Sequence, residues 1–297
     1  NKVVSTVSTA MVLDNTNKGY QALLTAQLTK NFSYGLSGMV AYTYNISKDV
    51  SSNPGSSAAS AWTSNLDVYD LNNPQLSYSN FAVPHRVVGS LSYKIEYLKH
   101  LATTISIYYS GSSMGRSTYA YSNDMTGDGS ASDIMYIPNR ASELNFVDVA
   151  GKMTAAEQVA KFQEFIDNTP YLNKRKGQYA ERFGVVEPWR NRWDVKVIQD
   201  IFAKFGSDRK FTLQFSLDIV NAANLLNSNW GAYSKSDLAN SFGVIMPLTY
   251  KGVNHLGEPT FTLNATDIAN FNSKNKYTKS LTTGSTWGML LGVRLLF

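Results

Sequence analysis

The chain has 297 residues, a mass of 32.8 kDa, no Cys and only 16% charged residues, against roughly 25% in ordinary soluble domains. No stretch approaches the ~18 unbroken apolar residues of a spanning helix, which excludes a helical membrane protein. The lack of Cys excludes disulfide scaffolds, thiol nucleophiles and zinc–thiolate sites. The net charge of +5 is scattered along the sequence, so it is no nucleic-acid footprint.

The chain opens on Asn1-Lys2-Val3-Val4-Ser5, which is strand-like and carries no signal-peptide pattern. It is therefore expected to be a processed product or a piece of a longer one, read as a single region over 1–297. Period-two alternation dominates the rest of the chain. The first predicted strands are Val3–Leu13, Tyr20–Thr29 and Tyr34–Tyr44. Val87, Gly89, Leu91, Tyr93, Ile95 and Tyr97 then alternate with Arg86, Ser90, Ser92, Lys94 and Glu96. Leu101–Ser110, Trp193–Ile201 and Phe211–Ile219 repeat the pattern, and Ile245–Lys251 and Thr260–Ala265 repeat it more weakly. In the last segment Trp287, Met289, Leu291, Val293, Leu295 and Phe297 oppose Gly288, Leu290, Gly292, Arg294 and Leu296. An apolar face opposite one holding Gly and Arg suits a strand with lipid outside and a wet lumen inside. About ten strands of membrane-crossing length are expected.

The connections alternate. Short ones fall at Lys30–Ser33, Leu98–His100, Ala203–Arg209 and Val253–Glu258; long ones at Ile46–Pro84, Ser112–Pro188, Ala223–Val244 and Thr266–Gly284. Outer-membrane barrels pair short periplasmic turns with long extracellular loops. The fold class expected is thus all-β, a transmembrane antiparallel β-barrel with long extracellular loops. Its C-terminus, Phe297, is expected at the periplasmic side. In the longest loop Thr154-Ala155-Ala156-Glu157 reads as a capping box that opens a helix through about Asp167.

Candidate functional residues fall into three groups. In "DMTGDGSASD", Asp124, Thr126, Asp128, Ser130 and Asp133 place oxygens at alternating positions around two glycines. That makes Ca²⁺ a candidate ligand, although Met135 stands where an EF-hand has its bidentate Glu. Lys94, Glu96, Arg192, Asp194, Lys196, Asp200, Asp218 and Arg294 are the charges expected to face the lumen, where mixed signs can pair across strands. Strand-end aromatics (Tyr34, Tyr42, Tyr44, Tyr97, Tyr109, Trp193, Trp287) suit interfacial girdles. The loop aromatics Trp62, Tyr69, Tyr119, Tyr121 and Trp230 are the freer candidates for ligand contact. Catalysis has little support: His85, His100 and His255 lie far apart, and no HExxH or P-loop occurs. An enzyme is not expected.

Several segments resemble one family. "RFGVVEPWRNRWDVKVIQDI" (Arg182 to Ile201), "FSLDIVNAANLLNSNWG" (Phe215 to Gly231), "VPHRVVGSLSY" (Val83 to Tyr93), "YYSGSSMGRSTYAYSNDMTGDGSASDIMYIP" (Tyr108 to Pro138) and the terminal strand ending in Phe297 look like the TonB-dependent transporter barrels of Bacteroidetes. The likeness is to the Oar-like group with carboxypeptidase-regulatory-like domains, related to SusC. The resemblance implies the C-terminal portion of a plugged barrel of about 22 strands, with the plug and the N-terminal strands outside this chain. It implies a substrate bound at extracellular loops and energy supplied by TonB, ExbB and ExbD through the missing portion. Outer-membrane lipids are the expected surroundings, and a surface lipoprotein is a further candidate partner. A self-contained small barrel, serving as an adhesin or surface-binding scaffold, is the alternative.

Overall fold

The computed structural model describes residues 10–12, 14–205, 209–240, 242–264, 271, 277–280 and 282–297. Its principal elements in chain order are β1 (Tyr20–Asn31), β2 (Leu36–Asp49), α1 (Ala58–Thr63), β3 (His85–Tyr97), β4 (Leu101–Ser113), β5 (Arg116–Tyr121), β6 (Asn145–Phe146), α2 (Ala155–Asn168), β7 (Val185–Val186), β8 (Trp189–Phe205), β9 (Arg209–Val220), β10 (Val244–Val253), β11 (Pro259–Leu263) and β12 (Gly288–Leu296). Seven of these, β1-β2-β3-β4-β8-β9-β12, pair in that order as one antiparallel sheet. Each strand is next to its predecessor on this path, so the sheet is a meander. The turns 32–35 and 98–100 lie at one end, and the connections that follow Asp49, Ser113 and Val220 leave the other. At the turn end the β3–β4 hairpin closes through Leu98 (φ 48°) and Lys99 (φ 59°). Two successive left-handed residues match the right-handed twist of the flanking strands.

The registers extend the period-two pattern across the whole sheet. One row runs Gly38–Leu91–Ile107–Val195–Ile219–Met289, and the next runs Ser37–Ser92–Ser106–Lys196–Asp218–Leu290. Rows of the first kind also join Leu28 to Val40, Leu217 to Leu291, and Phe215 to Val293. Although apolar, these side chains stand in the open: Leu28 is 70% exposed and Leu291 77%. Continuous apolar rows of this extent mark a face built for a non-aqueous neighbour. Aromatics collect toward the ends of this face, with Tyr109 and Trp193 4.6 Å apart between ring centres toward the loop end and Phe32 and Tyr34 5.5 Å apart at the turn end.

The apolar core lies elsewhere, in a lobe folded from the long connections. Strands β7-β5-β10-β11-β6 form a second sheet, in which β10 runs parallel to β5 and β11 parallel to β6. Tyr119, Phe162, Phe165, Ile166, Leu172, Ile245, Leu248 and Phe261 are among its enclosed side chains. Helix α2 opens on the expected box: the Thr154 hydroxyl accepts from the Glu157 N–H, and the Glu157 carboxylate accepts from the Thr154 N–H at 2.7 Å. Its buried Gln158 donates to the Val147 carbonyl at 2.7 Å and accepts from the Leu263 N–H at 3.0 Å. The helix is thereby tied by hydrogen bonds to strand β11 of the lobe sheet.

Two expectations fail against this fold. Ile245–Lys251 and Thr260–Ala265 are strands, β10 and β11 (Ala265 lies outside the described residues), but they belong to the lobe and not to the membrane sheet. Val253–Glu258 is consequently a hairpin within the lobe, not a turn at the short-turn end. Of Val3–Leu13, Ala10, Met11 and Val12 are described and lie in no strand, and the rest falls outside the described residues.

Candidate functional site

The lobe sits on the sheet through a few buried polar anchors. Arg182 is almost fully enclosed, pairs with Asp49 at the end of β2 at 2.9 Å, and donates to the Asn65 side chain at 3.3 Å. Burial lowers the pKa of Arg182, and Asp49 opposes that shift. Beside it the Thr118 hydroxyl accepts from the Phe183 N–H at 2.7 Å, while Arg116 donates to the Phe183 carbonyl at 3.0 Å and stacks on the Tyr78 ring at 4.0 Å. The Ser117 hydroxyl donates to Glu187, whose carboxyl is pushed up by burial. On the other connection Asn221 adopts φ 53° and donates its amide to the carbonyls of Gly231 and Ser285. Of these residues Arg182, Phe183 and Glu187 lie in the segment Arg182 to Ile201, and Asn221 and Gly231 in Phe215 to Gly231; their role is to fasten loops to strand ends.

With the lobe so placed, a cleft of about 640 Å³ opens between its hairpin tip and the β2–β3 connection. Asn53, Asn80, Ser130 and Asn240 offer polar groups to it, and Phe81 and Phe242 stand exposed on its lining. A neighbouring hollow of about 450 Å³ shares Asn53 and carries Trp62, whose indole N–H donates to Asn72 at 3.1 Å. Amides, hydroxyls and open aromatic faces are a binding lining: they hold a polar solute by hydrogen bonds and stack on its flat or apolar parts.

The carboxylates proposed for calcium accept hydrogen bonds from their own hairpin. Asp124 accepts from the N–H groups of Gly127 (2.6 Å) and Gly129 (2.9 Å), and Asp128 accepts from the N–H of Ser130. Asp133 accepts from the N–H groups of Met125 and Thr126 and from the Thr126 hydroxyl. Burial raises the pKa of Asp133, and the N–H bonds from Met125 and Thr126 oppose the rise. Among the described residues no three His, Cys, Asp or Glu side chains form a group able to hold a metal. Ser130, the remaining member, donates to the Thr63 carbonyl and lines the cleft.

The loop aromatics divide. Tyr119 and Tyr121 are buried in the lobe core, Tyr119 against Tyr171 and Phe165 and Tyr121 stacked on Phe261 at 5.5 Å. They are therefore not free for a ligand, and burial pushes the Tyr121 hydroxyl up to about 12. Tyr69 and Trp230 are exposed, and Trp62 is half-buried at its hollow.

The eight charges expected on the wet face share one face by register. Arg192 grips Asp194 with two bonds of 2.9 Å, and Lys196 pairs with Asp218 at 2.9 Å across β8 and β9. Asp200 accepts from Gln214 at 2.8 Å, Gln214 lies opposite Arg294, and Lys94 pairs with Glu96 at 2.7 Å. The wall is largely self-neutralised, which lowers the cost of enclosing it.

This arrangement, apolar rows outside and paired charges inside under a loop lobe, agrees with the comparison by sequence: a family described as outer membrane beta barrel domain matches residues 5–252. The chain belongs to this outer-membrane β-barrel family. No curated protein and no solved structure matches it. As an outer-membrane barrel it resides in the outer membrane, with the Leu28, Ile107 and Leu291 rows as its lipid face. His85 falls on that face, since it lies opposite Tyr44 in the register, and its Nδ1 is hydrogen-bonded to the Tyr42 hydroxyl at 2.8 Å. It belongs to the aromatic belt with Tyr42 and Tyr44.

Proposed function

We propose that this chain is the C-terminal barrel portion of a TonB-dependent outer-membrane transporter of the Oar-like kind. It contributes wall and loops to a barrel of about 22 strands. A substrate binds at the lobe cleft and passes inward when TonB, ExbB and ExbD drive movement of a plug carried by the rest of the barrel. The loop end is extracellular and Phe297 lies at the periplasmic side. The observation that carries this reading is the lobe: three long connections share one enclosed core and hold an open, aromatic-edged cleft beside the loop end of a charged inner wall. A wall of half-open, mixed charges suits a wide wet lumen better than a small barrel, whose interior side chains fill it. The exposed lobe surface around Tyr69 and Trp230 is available to a surface lipoprotein. No catalytic step is assigned; hydrolytic activity lost on His85→Ala would overturn that.

The test is the denatured intact mass of the product extracted from its native outer membrane. A mass far above 32.8 kDa, with peptides N-terminal to Asn1, is expected. A mass of 32.8 kDa with no second barrel-forming chain overturns the reading and leaves a self-contained barrel acting as a surface-binding scaffold.

A further inference from the structure

Most charges of the wet face pair off, but the loop end of β3, β4 and β8 carries a surplus of guanidinium groups. One row there reads Arg86–Ser112–Arg190, the next Val88–Ser110–Arg192, and the third Ser90–Tyr108–Asp194. Adjacent strands lie about 4.8 Å apart, so Arg86 and Arg190 leave the sheet about 10 Å from each other with only a serine between them. Together with Arg192, Asp194, Tyr108 and Tyr233 they line a hollow of about 400 Å³.

The partners of these arginines are unequal. Arg192 is neutralised by the bidentate contact with Asp194, which also accepts from the Asn221 N–H at 2.7 Å. Arg190 is held entirely by neutral groups: its guanidinium lies 3.8 Å from the Tyr233 ring centre and donates to the carbonyls of Gly231 (2.7 Å) and Gly284. Arg86 is exposed into the hollow, and among the described residues no carboxylate pairs with it. Two cations therefore face one space whose single carboxylate is already spent. Arg190 is fixed by its partners, and Arg86 is free to close on a guest. Serine hydroxyls sit between them as additional donors.

We propose that this hollow is an anion-binding site, taking a carboxylate or phosphate group of a solute at the loop end of the wet face. The planar fork of Arg86 matches two oxygens of such a group, and the fixed charge of Arg190 supplies the field from the other side. The inference goes beyond the transport reading and does not depend on it, because it requires only that this face be wet.

The experiment is isothermal titration of the full outer-membrane product, purified in non-ionic detergent, with inorganic phosphate and separately with citrate. Each is expected to bind saturably and to displace the other. Arg86→Gln is expected to weaken both at least tenfold while the heat-modifiable migration of the folded barrel is retained. Lys94→Gln, on the same face but near the turn end, is expected to leave binding unchanged. If Arg86→Gln fails to insert, Arg86→Lys takes its place: it keeps the charge, loses the fork, and is expected to weaken phosphate several-fold. Absence of saturable binding to the wild type, as when an acidic group of the protein itself fills the hollow, overturns the proposal. So does unchanged affinity in the folded Arg86 variant.

Discussion

The Arg182 guanidinium is 3% exposed and its partner Asp49 28% exposed, whereas Lys94 and Glu96 form a slightly shorter pair with both side chains about half in the open. By distance the open pair would rank first, but solvent reverses the order. An open pair contributes about 0–1 kcal/mol. Removing one partner of an enclosed pair costs about 3 kcal/mol, because a charge and its hydrogen-bonding neighbours are left without compensation. Arg182→Ala is thus expected to loosen the lobe, measured as trypsin cleavage within 114–188 while the sheet keeps its heat-modifiable migration; Lys94→Ala is expected to change neither. Asp133 makes a second prediction. Its pKa is raised above 3.8 by burial, so the folded lobe holds that proton more tightly than the unfolded chain does. The stability contributed by this group is full below about pH 4 and is lost as pH rises through the folded value. Thermal unfolding of wild type and Asp133→Asn, compared between pH 4 and 7, is expected to show the wild type losing ground to the variant as pH rises. Parallel curves would refute the assignment.

At the level of the elements, the long strands of the sheet are legible in the sequence because most of their side chains stand in the open or half-open, so period-two alternation persists along each of them. The helix of the lobe was equally plain, since Thr154 and Glu157 announce it and Phe162, Phe165 and Ile166 share its inner side. What period two cannot say is which sheet a strand joins. Val244, Ile245, Pro247 and Leu248 are all buried, as are Thr260, Phe261, Thr262 and Leu263, so β10 and β11 are covered on both faces and are not half-open like the membrane strands. Pro247, which has no N–H to give to a ladder, was the visible sign against a place in a continuous barrel wall. The parallel pairing of β10 with β5 joins residues more than a hundred positions apart and leaves no local trace. The same holds for the site. The charged wall could be read because its residues alternate with apolar ones, and the rows brought every one of them to a single face. The burial of Tyr119 and Tyr121 is not legible, because a loop aromatic looks the same in sequence whether it faces solvent or a core made from another loop. Arg86 and Arg190 leave no trace as a pair in the sequence because they belong to different strands and meet only through the register of β4.

For the molecule as a whole, the decisive question is what covers the apolar rows, and the two faces of β3 give a direct way to ask it. This strand has 13 residues, about 43 Å at 3.3 Å per residue, which tilted at about 45° crosses a hydrocarbon core of about 30 Å. Leu91 lies at its midpoint, 49% exposed, in the row with Ile107 and Val195. Ser90, one residue earlier, points to the opposite face, opposite Tyr108 in the register. In water an arginine at either position would sit on an open surface and change stability by no more than about 0.5 kcal/mol. In a bilayer the two differ sharply: a lipid-facing arginine near the midplane costs about 2–4 kcal/mol, while one facing a wet lumen stays hydrated. Refolding into lipid vesicles, followed by heat-modifiable migration across a urea series, is therefore expected to show Leu91→Arg destabilised by about that amount and Ser90→Arg within about 1 kcal/mol of wild type. Equal losses at the two positions would mean that the apolar rows do not face lipid, and the outward and inward sides of the sheet would have to be exchanged or abandoned. A loss confined to Leu91→Arg fixes the polarity of every strand at once, because the registers tie all seven to the same two faces.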